Sequence, residues 1–139
     1  MSFGSFGKTL DLLHRSLDVN YLRYTVTSNN LANAEVPNFK RTDVNFESEL
    51  KRALDSEKNA RGAFKMLTTD PDHIKSDGVI DYRTVKPRRV VDYLSEVKAN
   101  GSNVDPEQEA MNVLKTQMQY QLLTQLVGFQ FAQVNSVLK

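Results

Sequence analysis

The chain has no cysteine, no excess of either charge, few prolines and no unbroken apolar run at its start. Each lack closes off a class of protein. Without cysteine there is no disulfide framework, thiolate metal site or cysteine nucleophile, and either redox compartment is tolerated. With 18 basic and 17 acidic residues the net charge is +1, so no global field recruits nucleic acid or an anionic membrane. Residues Met1 to Leu13 mix small, aromatic and charged types, unlike a cleaved signal peptide, so a chain that leaves the cytoplasm would be expected to take another route, without a cleaved signal peptide.

What is present is unevenly placed. Of the 35 charged side chains, 24 fall between residues 40 and 98, leaving six before and five after. The chain therefore divides into 1–36, an N-terminal helix; 37–104, a polar and flexible centre; and 105–139, a C-terminal helix. The centre is punctuated by Pro71, Pro87, Gly62, Gly78 and Gly101 and offers short patterned pieces only. Asn45 to Glu57 reads as a brief amphipathic helix and Val79 to Val85 as a strand. A mixed-charge stretch with few large apolar residues buries little against its ordering entropy, so residues 55–100 are expected to be mobile in part in the free chain.

In the N-terminal segment Phe3, Phe6, Leu10, Leu13, Leu17, Tyr21, Tyr24 and Leu31 recur at helical steps. Pro37 forces Val36 toward extended geometry, so this helix should end near Asn33 or Ala34. Some 28 residues at 1.5 Å each give about 42 Å. The C-terminal helix has a clear start, with Asp105 as cap, Pro106 in the first position and Gln108 where a capping-box partner stands. Met111, Leu114, Met118, Leu122, Leu126 and Phe129 form its main stripe, while Tyr120, Val127 and Val134 carry apolar character to a second face.

No charge lies between Lys115 and Lys139, a length that would suit a membrane span. The six glutamines at 117, 119, 121, 125, 130 and 133 would take unpaired amides into hydrocarbon, whereas a protein assembly can bond them. The two terminal helices are expected to pair as an antiparallel hairpin or coiled coil through their main stripes. The face of Tyr120, Val127 and Val134 would remain for other subunits. The fold class is thus mainly α, with a partly disordered centre holding short helix or strand pieces.

Chemistry finds little support. Asp70, Asp72 and His73 could serve a small metal-dependent hydrolase, but beside Pro71 they read as a solvated turn, and no second ligand group stands at suitable spacing. His14 is isolated, and Ser28 and Thr27 lack an activating base. Lys86, Pro87, Arg88 and Arg89 read as a solvated loop rather than a nucleic-acid footprint. No catalytic residue, metal, cofactor, small-molecule substrate or nucleic acid is therefore expected.

The segment Ser28-Asn29-Asn30-Leu31-Ala32-Asn33-Ala34-Glu35-Val36-Pro37-Asn38-Phe39-Lys40 resembles the signature of the flagellar rod and hook axial family. Asn29, Asn30, Leu31, Ala32, Asn33, Pro37, Phe39 and Lys40 carry the match, while Asn38 replaces the usual Gly and Val36 stands where Thr is common. Asparagines tolerate left-handed backbone and bond main-chain groups, which suits a fixed turn at a helix end. Asn103-Val104-Asp105, then Glu109 and the glutamine-rich run, look like the family's closing helix. Within the family, the short chain, Leu10-Asp11-Leu12-Leu13 and Val44-Asn45-Phe46 point to a proximal rod subunit, with its sibling FlgC as the alternative.

The resemblance implies export by the flagellar type III apparatus, helical assembly in the periplasmic rod, and torque transmission. Partners would be further copies, FlgC, FlgF, FlgG, FliE and the membrane-ring region.

Overall fold

The computed structural model describes residues 3–60, 78–95 and 98–138. They fall into two compact units, Met1–Val44 with Arg89–Lys139, and Asn45–Arg88. The expected central segment 37–104 is thereby divided, its two ends lying in the unit that holds both long helices.

That first unit is built on α1 (Phe3–Ala32) and, at the other end of the chain, α3 (Pro106–Leu138). The α3 start is capped as expected, since Asp105 Oδ1 accepts the Glu107 N–H at 3.0 Å and the Gln108 N–H at 3.5 Å. Helix α1 ends in a tightening turn: the Asn33 N–H is shared by the carbonyls of Asn29 (3.1 Å) and Asn30 (3.2 Å). The two helices pack against each other with a readable register. The rings of Phe6 and Phe131 meet edge to face at 6.4 Å, Asn20 Nδ2 donates to the Thr116 carbonyl at 2.9 Å, and Asn30 reaches Glu109 at 3.2 Å. As numbers rise on α1 they fall on α3, so the pair is an antiparallel hairpin.

The faces are turned differently from expectation. On α3 the main stripe points outward, with Met111 73%, Met118 63% and Leu122 57% exposed and Leu114, Leu126 and Phe129 also exposed. Val127 and Val134, expected to be free for neighbours, are half-buried together with Val113 and Leu123, while Tyr120 at the same register is exposed. On α1, Tyr21 and Tyr24 are exposed, Leu10, Leu13, Leu17 and Leu31 are half-buried, and the buried residues are Val19, Asn20, Val26, Thr27 and Asn30.

The strands β1 (Thr42–Asn45) and β2 (Arg88–Val91) form a two-stranded sheet. The Asp92 N–H donates to the Arg41 carbonyl at 2.8 Å, joining the residue before β1 to the residue after β2, so the strands are antiparallel. No strand forms at Val79 to Val85, contrary to expectation. Asp81 makes a turn there instead, its Oδ1 accepting the Arg83 N–H at 2.9 Å and its carbonyl the Thr84 N–H at 3.0 Å, which winds Tyr82–Thr84 into a 3-10 turn.

In the second unit α2 (Glu47–Ala60) occupies nearly the expected helical span, with Ala53 fully buried. Ser56 Oγ accepts the Ile80 N–H at 3.0 Å, and Arg83 lies over the Tyr82 ring.

Candidate functional site: a polar clasp and the face it presents

The end of α1 carries the asparagine signature, and the structure gives its members separate tasks. Asn33 Nδ2 donates to Asn29, at 2.7 Å to the carbonyl and 2.5 Å to Oδ1, closing the last turn of the helix on its exposed side. Asn30, one residue on, turns inward and is 2% exposed. Its Oδ1 accepts the Thr42 N–H at 3.1 Å and its Nδ2 donates to the Thr42 carbonyl at 2.8 Å, so the side-chain amide pairs with β1 as a neighbouring strand would. The same Nδ2 reaches Glu109 Oε2 at 3.2 Å.

Glu109 stands one turn into α3, is 1% exposed, and receives Arg41 Nε on its other oxygen at 2.6 Å. A carboxylate that deep is tolerable because both oxygens are bonded and one partner is cationic. Burial alone would lower the Arg41 pKa, but the hydrogen bond and charge of Glu109, with Asp43 and Asp92 nearby, hold it above the ordinary value. Around the pair the loops interlock. Asn103 Oδ1 accepts the Arg41 N–H at 2.7 Å and its Nδ2 donates to the Asp92 carbonyl at 2.8 Å, filling the gap where the strand ladder opens.

Lys40 Nζ donates to the Gly101 carbonyl at 3.0 Å, and the Asn38 N–H to that of Asn100 at 3.0 Å. Asn38 has φ 60° and Gly101 φ 81°, both left-handed. Asparagine at 38 is thus the residue other than glycine best suited to that backbone. Glycine at 101 suits its position twice over, because a Cβ there would also overlap the Asn38 side-chain amide. Of the remaining signature residues, Leu31 and Phe39 are half-buried, and Ala32 and Pro37 are exposed.

The clasp has a mechanical consequence. Because Glu109 must face Asn30 and Arg41, the rotation of α3 about its axis is set from its first turn. Residues seven and fourteen further on, Thr116 and Leu123, then face α1. Thr116 is buried, its carbonyl taking the Asn20 amide and its hydroxyl turned back to the Asn112 carbonyl. The Met111–Phe129 stripe is left on the opposite side as a line of thioethers, leucines and an aromatic ring. Sequence reading missed Arg41, Asn103 and Glu109 as members of this site. The available signal was Glu109, an acid at a position seven residues from Thr116 on the most sparsely charged helix.

Chemistry of other kinds is not assembled here. Among the described residues no three His, Asp or Glu side chains converge as a metal site would require. Asp70, Asp72 and His73 lie outside the described residues. No helix among the described residues is long and apolar enough to cross a membrane. A shallow groove along α2, lined by Ser48, Lys51, Arg52 and Asp55, is an ordinary solvated helix surface.

No protein-family model matches the chain. Among curated proteins it is 39% identical over 135 residues to the flagellar basal body rod protein FlgB of Borreliella burgdorferi, covering 96% of this chain and 98% of that protein. It is 40% identical over 134 residues to that of Borrelia hermsii, with the same coverage, and 30% identical to that of Aeromonas hydrophila across 97% of this chain and 96% of that protein. With identity of this order across nearly the whole of each protein, the chain belongs to the FlgB family of flagellar basal body rod proteins.

Proposed function

We propose that this chain is a structural subunit of the proximal rod of the flagellar basal body, and that it works by polymerising. The observation that carries the reading is the outward stripe of α3, where Met111, Leu114, Met118, Leu122, Leu126 and Phe129 are all exposed although the opposite face is already packed on α1. Contiguous apolar surface on that scale marks a protein contact. Neighbouring subunits cover it in the assembled rod, and close-packed helices from many copies give the stiffness that torque transmission requires. No bond-making chemistry is needed for this, and the chain is not an enzyme.

The relatives are named FlgB, which favours that subunit over its sibling FlgC. Its neighbours are further copies of itself, the rod proteins FlgC, FlgF and FlgG, and FliE at the membrane-ring end. The chain reaches the periplasm through the flagellar type III apparatus. The test is Met118→Lys in a strain lacking the chromosomal copy. Secretion and the monomer's helicity should persist while basal bodies lack rods. Complete rods would overturn the assembly reading.

A further inference from the structure

The two outer edges of the β1/β2 sheet are treated unequally. Because Asp92 bonds back to Arg41, strand alternation turns the backbone groups of Thr42 and Val44 away from β2, and those of Arg89 and Val91 away from β1. On β1 the outward groups are taken. Thr42 is bonded twice by Asn30, the Val44 carbonyl accepts Arg23 Nη2 at 3.1 Å, and the Val44 N–H is bonded by Asp43 Oδ1 at 2.7 Å.

On β2 the outward N–H and C=O groups of Arg89 and Val91 have no hydrogen-bond partner among the described residues. Every residue of β2 is exposed, and the turn that follows presents Tyr93 at 74% and Leu94 at 99% exposure. An open edge beside exposed apolar side chains is a template for strand addition.

We propose that the outer edge of β2 takes an extended, acidic segment of another protein as a third strand, with a carboxylate beside Arg89. The two-residue spacing of the open groups admits only extended backbone. The charge follows from Arg88 and Arg89, both exposed. The nearby Asp92 carboxylate keeps its charge but is held in the following turn by the Leu94 and Ser95 N–H groups and the Ser95 hydroxyl, so two arginines stand against one acid at this edge. A second copy pairing β2 to β2 is disfavoured, because it would bring four arginines onto one short ladder. This proposal does not depend on the assembly reading.

The experiment is amide exchange by NMR on the full chain, with two synthetic heptapeptides, one alternating valine and glutamate and one alternating valine and lysine. The glutamate peptide should slow exchange at Arg89 and Val91 by about tenfold or more at saturation while leaving Val90 unchanged. The lysine peptide should not bind. Arg89→Glu should reverse that preference, and Val91→Pro, which deletes one outward N–H, should weaken binding with the rest of the spectrum retained. Absence of binding at millimolar peptide, equal binding of both peptides, or protection at amides elsewhere would each overturn the proposal.

Discussion

Arg41 Nε meets Glu109 Oε1 at 2.6 Å, and this pair ties the loop after α1 to the first turn of α3. Removing one member of a buried pair strands the other, so Glu109→Ala should cost about 3–5 kcal/mol of unfolding free energy. Glu109→Gln keeps the shape but gives up the charge and turns a donor toward Arg41 or Asn30, for a loss of about 1.5–3 kcal/mol. Urea titrations of the two variants check both. Equal stability of wild type and Glu109→Ala would show that the clasp does not hold the hairpin.

The Asn38 and Gly101 turns offer a coupled pair. Gly101→Ala forces a Cβ into the Asn38 amide at a φ that L residues avoid, and should cost about 1–3 kcal/mol. Asn38→Gly removes the obstacle and suits its own φ of 60°. The double variant should therefore recover part of the loss, since residues in contact are non-additive. Strict additivity in thermal melts would contradict the overlap.

Asp92 gives the pH dependence. Its carboxyl is held below the ordinary 3.8 by the Ser95 hydroxyl first, then by the Leu94 and Ser95 N–H groups. A lowered carboxyl pKa stabilises the fold above the unfolded value, and that contribution fades as pH falls from 3.8 through the native one. The amide resonances of Leu94 and Ser95 should hold steady down to the ordinary carboxylate range and shift only below it. Asp92→Asn should abolish the shift. A titration centred above 3.8 would contradict the turn geometry.

How much of this could be read from the chain depends on the range of the interaction. Helix ends are local, so Asp105-Pro106 and Asn33 with Pro37 marked α3 and α1 to within a residue or two. Pairing of the helices followed from their apolar content, which neither could cover alone. The rotation of α3 is not legible from composition, because ranking by apolarity selects Met118 and Leu122 for the seam. The clasp instead selects Thr116 and, by heptad, Leu123. That choice depends on Arg41 and Glu109, 68 residues apart, and no local pattern reports it. Val79–Val85 is not a strand for the opposite, local reason: Asp81, whose side chain bends the segment two residues on, overrides the β-branched alternation.

On the proposed function, the clasp turns the Met111–Phe129 stripe outward to be covered by neighbouring subunits. The absence of native cysteine makes single-thiol labelling clean. Cysteine placed singly at 122, 123 or 127 is to be compared for maleimide reactivity in the purified chain and in isolated basal bodies. In the free chain the thiol at 122 should react fast, and those at 123 and 127 more slowly. In the rod the thiol at 122 should become protected as well. Fast reaction at 127 with protection at 122 in the free chain, or undiminished reaction at 122 in the rod, would contradict the account.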